Sequence, residues 1–313
     1  MKEEHFLCQG TDNMQIDVCV WRPEGQVKAV LQITHGMTEH IARYAVLAEK
    51  LTKQGIAVAG FDLRGHGHNP GDPKCASFGE NGWDASISDM HICFETLEQR
   101  FSTVPHFMLG FSLGSFLLRE YLARYTDPVA GAAILGTGQQ PAAILTIIKA
   151  IVKTQIRKAG FDQTTPLVTK LSFETYHQRF APVRTAFDWL CADEKELDAY
   201  IADPLCRETI SSGLFWQLLD AMGRTGNSTT YNKWNKTIPV LLVSGQKEPV
   251  GDFGKGVQQV YDQMKKAGMQ NVRMQLFADA RHDLLHEEDS GCAEKVRSML
   301  IEWMDSVIEE KNS

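Results

Sequence analysis

The sequence predicts an α/β fold in which a mostly parallel central sheet carries helices on both faces and a helical cap is inserted between two strands. Short apolar runs rich in β-branched residues alternate with helical patterns along most of the 313 residues. From the second run onward the apolar residues are nearly continuous, as in parallel strands that are covered on both faces. The predicted strands comprise residues 15–21, 28–34, 56–62, 106–111, 131–137, 238–244 and 272–277.

Helical patterns connect most of these strands. Residues 44–55 (YAVLAEKLTKQG) have helical spacing and end at Gly55, a residue type that favours the C-terminus of a helix. The alternation fails between about residues 138 and 232, where helical segments occur without a convincing buried strand. We therefore predict a core formed by residues 1–137 and 233–313, with residues 138–232 as a helical cap.

Two cap segments are strongly apolar. Residues 142–158 place Lys149, Lys153 and Arg157 on one helical face and surround them with a wide apolar arc. We favour a helix packed on the core, and the alternative is a helix that lines a substrate pocket or faces lipid. Residues 214–222 (LFWQLLDAM) are similar, and their aromatic side chains are expected to serve packing.

Composition excludes several classes of protein. The formal net charge is −7 and 43% of the residues are hydrophobic, which indicates a globular protein with a large core and no basic surface for nucleic acid. No apolar stretch is long enough to span a bilayer, and the N-terminal MKEEHFLCQG lacks the apolar centre of a signal peptide, so we expect a cytoplasmic protein.

The cysteines are odd in number and contain no CxxC pair, so we expect mostly buried free thiols rather than disulfides or a zinc site. They are Cys8, Cys19, Cys75, Cys93, Cys191, Cys206 and Cys292.

The segment GFSLGS (110–115) lies directly after an apolar strand and before a helical pattern. A GxSxG pattern alone is weak evidence, but at this junction it indicates a nucleophile elbow, a strained turn where strand and helix backbones approach closely. Gly110, Gly114 and Ser115 supply the space that this approach requires. Ser112 is therefore the candidate nucleophile, exposed at the carboxyl end of the sheet beside a helix N-terminus.

A serine nucleophile requires a base and an acid that orients the base. His282 follows the last predicted strand and is the candidate base, whereas His286 is predicted to be a surface residue within a helix. Glu248 lies in the loop after the preceding strand, at the same end of the sheet, and is the favoured acid. Asp252, four residues further from that strand, is the alternative acid.

An acyl-transfer site also requires backbone donors for the oxyanion. One is the N–H of the residue after the nucleophile, Leu113, and the other comes from a loop after an earlier strand. The loop HGMTEH (35–40) follows such a strand, so the N–H of Met37 is the second candidate. Loss of one such donor typically costs about 3 to 4 kcal/mol of transition-state stabilisation.

Four motifs in this order resemble the α/β-hydrolase superfamily, and within it the monoacylglycerol lipase and lysophospholipase branch. They are HGMTEH (35–40), FDLRGHGHN (61–69), GFSLG (110–114), and GQKEPVGD (245–252) with RHDLLHE (281–287). The resemblance covers both predicted parts of the core and leaves the cap uncovered. It implies an α/β-hydrolase fold with Ser112 as nucleophile, His282 as base, and Met37 and Leu113 as oxyanion donors.

Some positions depart from the family pattern. Glu248 stands where the family usually has Asp, and Thr38 stands where it often has a second Gly. Asp252 matches a second family aspartate that supports the loop. His66 and His68 belong to a segment that organises the loop after its strand, and because the metal-hydrolase pattern HxHxDH is absent, we expect neither a metal nor a cofactor.

Together these features predict a serine hydrolase that cleaves carboxylic esters through an acyl-enzyme, with monoacylglycerols or lysophospholipids as the substrates implied by the resemblance and the apolar cap. A short-chain carboxylesterase, a thioesterase and an acyltransferase use the same residues and remain alternatives. An inactive scaffold that only binds a partner is the alternative of another class. The absence of HGGPG after the oxyanion strand argues against proline-type aminopeptidases. The expected partner is a small ester, with transient contact to a lipid surface as an open alternative.

Overall fold

The computed structural model describes residues 1–174, 176 and 178–312. Its ten strands form an eight-stranded sheet and a separate two-stranded pair within these residues. The strands are β1 (Lys2–Gln9), β2 (Gln15–Arg22), β3 (Ala29–Thr34), β4 (Ile56–Phe61), β5 (Cys75–Ala76), β6 (His106–Phe111), β7 (Val129–Leu135), β8 (Thr209–Ile210), β9 (Val240–Gly245) and β10 (Val272–Phe277).

The large sheet has the order β1-β2-β4-β3-β6-β7-β9-β10. The pairs β1–β2 and β2–β4 are antiparallel, and every later pair is parallel. The predicted mostly parallel sheet is therefore confirmed, and each of the seven predicted strands corresponds to an observed one. Sequence analysis missed β1, whose exposure alternates along an edge of the sheet, and the two-residue strands β5 and β8.

Helices cover both faces of the large sheet. They are α1 (Ala45–Lys53), α2 (Gly82–Arg100), α3 (Leu113–Arg124), α4 (Ala142–Ala159), α5 (Pro166–Thr169), α6 (Glu194–Ala202), α7 (Ser212–Thr225), α8 (Ser228–Tyr231), α9 (Lys255–Lys266) and α10 (Cys292–Asn312). Short 3₁₀ segments lie at Thr11–Asn13, Ile41–Tyr44 and Gln178–Phe180, and a π turn lies at Lys170–Glu174. None of the helices in the described ranges is both long and apolar enough to cross a membrane.

Alternate residues of the parallel strands enter two separate hydrophobic clusters. Met108 of β6 faces the cluster that contains α2 and α3, whereas Phe107 and Leu109 face the cluster that contains α1 and α10. Burial on both faces accounts for the nearly continuous apolar runs in the sequence. All seven cysteines are buried and free, as predicted.

Between β7 and β9 the described residues form α4 to α8 and one short strand, β8. The helix α4 packs on α7, where Lys149 bonds to Asp220, but only Leu145 and Val152 of α4 are buried. Ile144 and Ile147 are 45% and 62% exposed. Ile148 and Ile156 are half-buried against the same hydrophobic cluster, so the favoured interpretation of α4 as a helix packed on the core holds for one of its faces, and Ile144 and Ile147 lie outside that face. The predicted packing role of residues 214–222 is confirmed, since most of them are buried in α7.

Candidate active site

Ser112 occupies the sharp turn between β6 and α3. Its φ and ψ are 50° and −115°, a backbone conformation that residues other than glycine rarely adopt. A hydrogen bond from the N–H of Ser112 to the carbonyl of Leu135 holds this conformation. A Cβ on Gly110 would lie 2.4 Å from the carbonyl oxygen of Gly114, and a Cβ on Gly114 would lie 2.1 Å from that of Thr34. Both positions around Ser112 therefore require glycine, which explains the GxSxG pattern.

The structure brings Ser112, His282 and Glu248 together from three separate loops. Ser112 Oγ lies 2.8 Å from His282 Nε2, and His282 Nδ1 lies 3.0 Å from Glu248 Oε2. An ionised carboxylate only accepts hydrogen bonds, so Nδ1 carries the proton and the lone pair of Nε2 faces the serine hydroxyl. This tautomer is the one that can remove a proton from Ser112.

Glu248 is fully buried and its carboxylate is held by four donors. In addition to His282, the hydroxyl of Ser244 and the N–H groups of Val250 and Gly251 bond to its two oxygens at 2.8 to 2.9 Å. A Cβ on Gly251 would lie 2.3 Å from Oε1, so this loop wraps closely around the longer glutamate side chain. Glutamate thus reaches the imidazole at a position where the resembled family usually has aspartate.

Asp252 lies in the same loop but is not brought to the imidazole. Its backbone has a φ of 47° and participates in the turn through bonds to Pro249 and Lys255. Within the described residues its carboxylate makes no hydrogen bond to His282. The geometry therefore favours Glu248 over Asp252 as the acid.

The two oxyanion candidates belong to segments that meet at Ser112. Leu113 begins α3, and Met37 lines the same cavity as Ser112. Glu39 accepts a bond from Gly36 N–H at 2.5 Å and fixes the Met37 loop. Thr38 has a φ of 64°, which explains why a glycine is common at this position in the resembled family.

The catalytic cavity is narrow, with a free volume of about 20 Å³, room for about one water molecule. Its lining includes both apolar and polar side chains. The apolar residues are Phe111, Phe173, Phe187, Trp189 and Leu190, and the polar residues include Thr38, Glu39, Arg43 and Tyr200. Five lining residues come from the segment between β7 and β9, namely Phe173, Phe187, Trp189, Leu190 and Tyr200. Among the described residues, α4 lines no part of this cavity.

One part of that segment is bonded directly to the loop that carries His282. The N–H of Asp283 donates to Leu190 O at 2.7 Å, and the guanidinium of Arg281 donates to Cys191 O at 3.2 Å. The ring of Trp189 lies over that of His282 with a centroid distance of 5.3 Å. Sequence reasoning did not find this support, because contacts between residues about 90 positions apart leave no local pattern.

His286 is buried, so its prediction as a surface residue is wrong. Its Nδ1 lies 2.7 Å from Asp283 Oδ1 and its Nε2 lies 2.9 Å from the carbonyl oxygen of Arg43. Both partners only accept, so both ring nitrogens carry protons. Burial opposes this charge, but the Asp283 carboxylate outweighs burial and raises the pKa of His286. Burial likewise opposes ionisation of Asp283, yet His286 and Arg43 together lower its pKa.

His66 and His68 organise the loop after β4. His66 Nδ1 bonds to the carbonyl of Arg64 at 2.8 Å, and His68 bonds through its N–H and Nδ1 to Asp62. Burial lowers the pKa of His66 to about 3, so this ring is neutral. Both side chains thus have structural partners within the loop.

Several known proteins are similar to this chain. A monoglyceride lipase of Mus musculus is 26% identical over 297 residues, which cover 94% of this chain and 84% of that protein. A monoacylglycerol lipase of Mycolicibacterium smegmatis is 22% identical over 294 residues, 92% of each chain. The fold is also that of a carboxyl esterase from Bacillus coagulans in complex with glycerol, with a TM-score of 0.87, 21% identity, and coverage of 98% of this chain and 99% of the other.

The family model described as serine aminopeptidase, S33 matches residues 25–289. The matched range contains every candidate catalytic residue and most of both parts of the predicted core. The protein therefore belongs to the serine aminopeptidase S33 family (Hydrolase_4) of α/β-hydrolases.

Proposed function

We propose that this carboxylic ester hydrolase cleaves monoacylglycerol or lysophospholipid esters through an acyl-enzyme on Ser112. The observation that carries the proposal is the hydrogen-bonded series from Ser112 through His282 to Glu248, at a cavity lined by both apolar and polar side chains. Such a lining matches an ester that carries both a long hydrocarbon chain and a hydroxylated leaving group.

The proposed mechanism gives each of these side chains one role. His282 Nε2 removes the proton of Ser112 as Oγ attacks the ester carbonyl, and Glu248 stabilises the imidazolium that forms. The N–H groups of Met37 and Leu113 bind the oxyanion of the tetrahedral intermediate. His282 then protonates the leaving alcohol, and a water molecule repeats the sequence on the acyl-enzyme and regenerates Ser112.

Residues 138–232 serve as a cap in this proposal. The cavity in the present conformation is too small for an acyl chain, so substrate entry requires that part of the cap move. Residues 188–192 are bonded to the His282 loop, whereas α4 and α5 are more exposed. We assign the movement to the part of the cap that contains α4, α5 and Phe173.

A lipid surface is the proposed source of the substrate. Ile144 and Ile147 of α4 are exposed, and Lys153 and Arg157 lie on the same helix with exposed side chains. Apolar and cationic residues together favour contact with an anionic lipid surface. A cytoplasmic location is part of the proposal, because seven free thiols are typical of a reducing compartment.

Peptide hydrolysis is the second candidate, since the family description names an aminopeptidase. An aminopeptidase binds the substrate α-amine with an available carboxylate. Glu39 is the acidic residue in the cavity lining, and it is already engaged by Gly36, Arg43 and Tyr44. The names of the relatives and this engagement favour esters over peptides.

The proposal is tested by kcat/KM for esters from acetyl to oleoyl, presented as monoacylglycerols, lysophosphatidylcholine and p-nitrophenyl esters, with Ser112→Ala as the blank. We expect the highest values for monoacylglycerols or lysophospholipids with long chains. A maximum at acetyl or butyryl would identify a small-ester carboxylesterase, and a higher rate for acyl thioesters would identify a thioesterase. Absence of any turnover would favour the inactive scaffold.

A further inference from the structure

A second group of reactive side chains lies where the cap meets the loop that carries Met37. His40 belongs to that loop, and Asp203 and Cys206 follow α6 with the spacing D-x-x-C. One ligand-type atom from each of the three residues lies within 4.8 Å of the other two. None of them contributes to the described lining of the catalytic cavity.

Some polar atoms of this group have no hydrogen-bond partner. His40 Nε2 lies 2.8 Å from Asp203 Oδ2, and since the carboxylate accepts, Nε2 carries the proton. His40 is 4% exposed, and its Nδ1 is buried without a hydrogen-bond partner. The thiol of Cys206 is also buried and forms no hydrogen bond within the described residues. The imidazole and the thiol of this group therefore retain lone pairs that no other described residue uses.

We propose that His40, Asp203 and Cys206 form a binding site for a divalent transition-metal ion, with Zn²⁺ as the representative, and that the bound ion slows the enzyme. Imidazole, carboxylate and thiolate are the ligand types that Zn²⁺ prefers, and three of them leave a fourth position for water. Tetrahedral coordination separates ligand atoms by about 3.3 to 3.8 Å, so the His40–Asp203 pair would open by about 0.5 to 1 Å. On binding, Cys206 releases its thiol proton to solvent, and the imidazole proton moves from Nε2 to Nδ1.

The site is accessible to an ion from solvent, and a bound ion would affect the catalytic cavity. The side chain of Asp203 is 27% exposed, which leaves one ligand accessible from solvent. Thr38 already contacts the cap through Tyr200 Oη at 2.7 Å and through the N–H of Arg207 at 2.9 Å. By separating His40 from Asp203, a metal ion would shift the loop that carries Met37 and Thr38, which line the catalytic cavity, and so slow the reaction. The inhibition rests on the proposed function, whereas binding of the ion does not.

A second trio, Glu3, His5 and Cys19, also has one ligand-type atom from each residue within 4.8 Å of the other two. Both nitrogens of His5 already face carboxylates, with Asp17 at 3.1 Å and Glu3 at 3.3 Å, and Glu3 and His5 are exposed. This trio therefore offers no unpaired imidazole nitrogen. It provides a control site on the same molecule.

The test titrates the full chain with ZnCl₂ by calorimetry, and with Co²⁺ by absorption, where a thiolate ligand produces a charge-transfer band. The variants are Cys206→Ser and Asp203→Asn, and the controls are Cys8→Ser and His5→Gln. We expect the wild type and both controls to bind with the same affinity, and each ligand variant to bind more weakly by about tenfold or more. The Co²⁺ thiolate band should disappear in Cys206→Ser.

Hydrolysis of p-nitrophenyl butyrate measures the inhibition in parallel. Zn²⁺ should slow the wild type, EDTA should reverse the effect, and Cys206→Ser should require about tenfold more Zn²⁺ or more for the same inhibition. Thermal unfolding without metal shows that each variant is folded. Absence of binding by the wild type, or equal binding and equal inhibition in both ligand variants, would overturn the site. A wild type that binds Zn²⁺ yet hydrolyses no ester would refute the proposed function and leave the site standing.

Discussion

The carboxylate of Glu248 lies 3.0 Å from Nδ1 of His282, in a pocket where neither side chain has appreciable contact with solvent. Ser244, Val250 and Gly251 donate to the same carboxylate and fix its orientation. The imidazole tautomer in the candidate active site therefore depends on this single carboxylate.

Replacement of that carboxylate by an amide tests the assignment of the acid. Glu248→Gln can donate to Nδ1 and favours the wrong tautomer, so we expect kcat to fall by as much as about 10⁴. Asp252→Asn, the matched control in the same loop, should retain most of the activity. Steady-state kinetics with one ester compares the two variants, and a larger loss in Asp252→Asn would transfer the role to Asp252.

The elbow requires glycine at position 114. Gly114→Ala places a Cβ 2.1 Å from the carbonyl oxygen of Thr34, so we expect a loss of stability of about 3 kcal/mol or more, together with loss of activity. Gly223→Ala is the matched control, because Gly223 lies in α7 with nothing within 4 Å of the added Cβ. That variant should gain about 0.5 to 1 kcal/mol. Urea unfolding measures both, and equal effects would contradict the packing argument.

Arg119 of α3 joins the nucleophile helix to both ends of the cap. Its fully buried guanidinium donates to Thr137, Gly138, Thr225 and Tyr231, and each of these bonds ends on a neutral oxygen. Arg119→Met leaves several buried acceptors unpaired, so we expect a loss of about 3 to 5 kcal/mol of unfolding free energy.

The control for this prediction is Arg157→Met on the exposed face of α4, which should stay within about 0.5 kcal/mol of the wild type. Urea unfolding of both variants gives the comparison. A loss below about 1 kcal/mol in Arg119→Met would show that the four hydrogen bonds do not hold the cap connections.

The His286–Asp283 pair predicts a dependence of stability on pH. The pKa of His286 is raised above its ordinary value of 6.5, so its contribution is fully present below about pH 6.5 and is lost as the pH rises through the raised value. His286 faces Asp283, the guanidinium and carbonyl of Arg43, and the ring of Tyr44. His286→Gln should lower the unfolding free energy by about 3 to 5 kcal/mol at about pH 6, and by less at higher pH.

Urea unfolding of the wild type and of His286→Gln between about pH 6 and pH 9 measures this difference. We expect the two curves of stability against pH to converge as the pH rises. Parallel curves would show that His286 is neutral in the folded protein throughout this range.

Much of the fold could be predicted from the sequence because its parallel strands are buried on both faces. Strands such as β3 and β7 appear as continuous apolar runs, whereas β1 carries charged residues along an edge and does not. The exposure of Ile144 and Ile147 on α4 could not be predicted, because an apolar arc reveals amphipathicity but not how much of the arc a partner covers.

In the candidate site, too, sequence patterns locate some residues and miss others. Ser112, Glu248 and His282 follow strand ends, which sequence patterns can locate. The buried position of His286 was missed because one of its two ring partners, the carbonyl of Arg43, is brought to it only by the tertiary fold. His40 and Cys206 are 166 positions apart in the sequence, so no local spacing could indicate their proximity.

Covalent labelling tests the central claim most directly. Treatment with a fluorophosphonate followed by peptide mass spectrometry should place one adduct on Ser112, in parallel with loss of ester hydrolysis, and Ser112→Ala should show neither labelling nor turnover. An unlabelled wild type, an adduct on another residue, or undiminished hydrolysis by Ser112→Ala would contradict the assignment of Ser112 as the nucleophile.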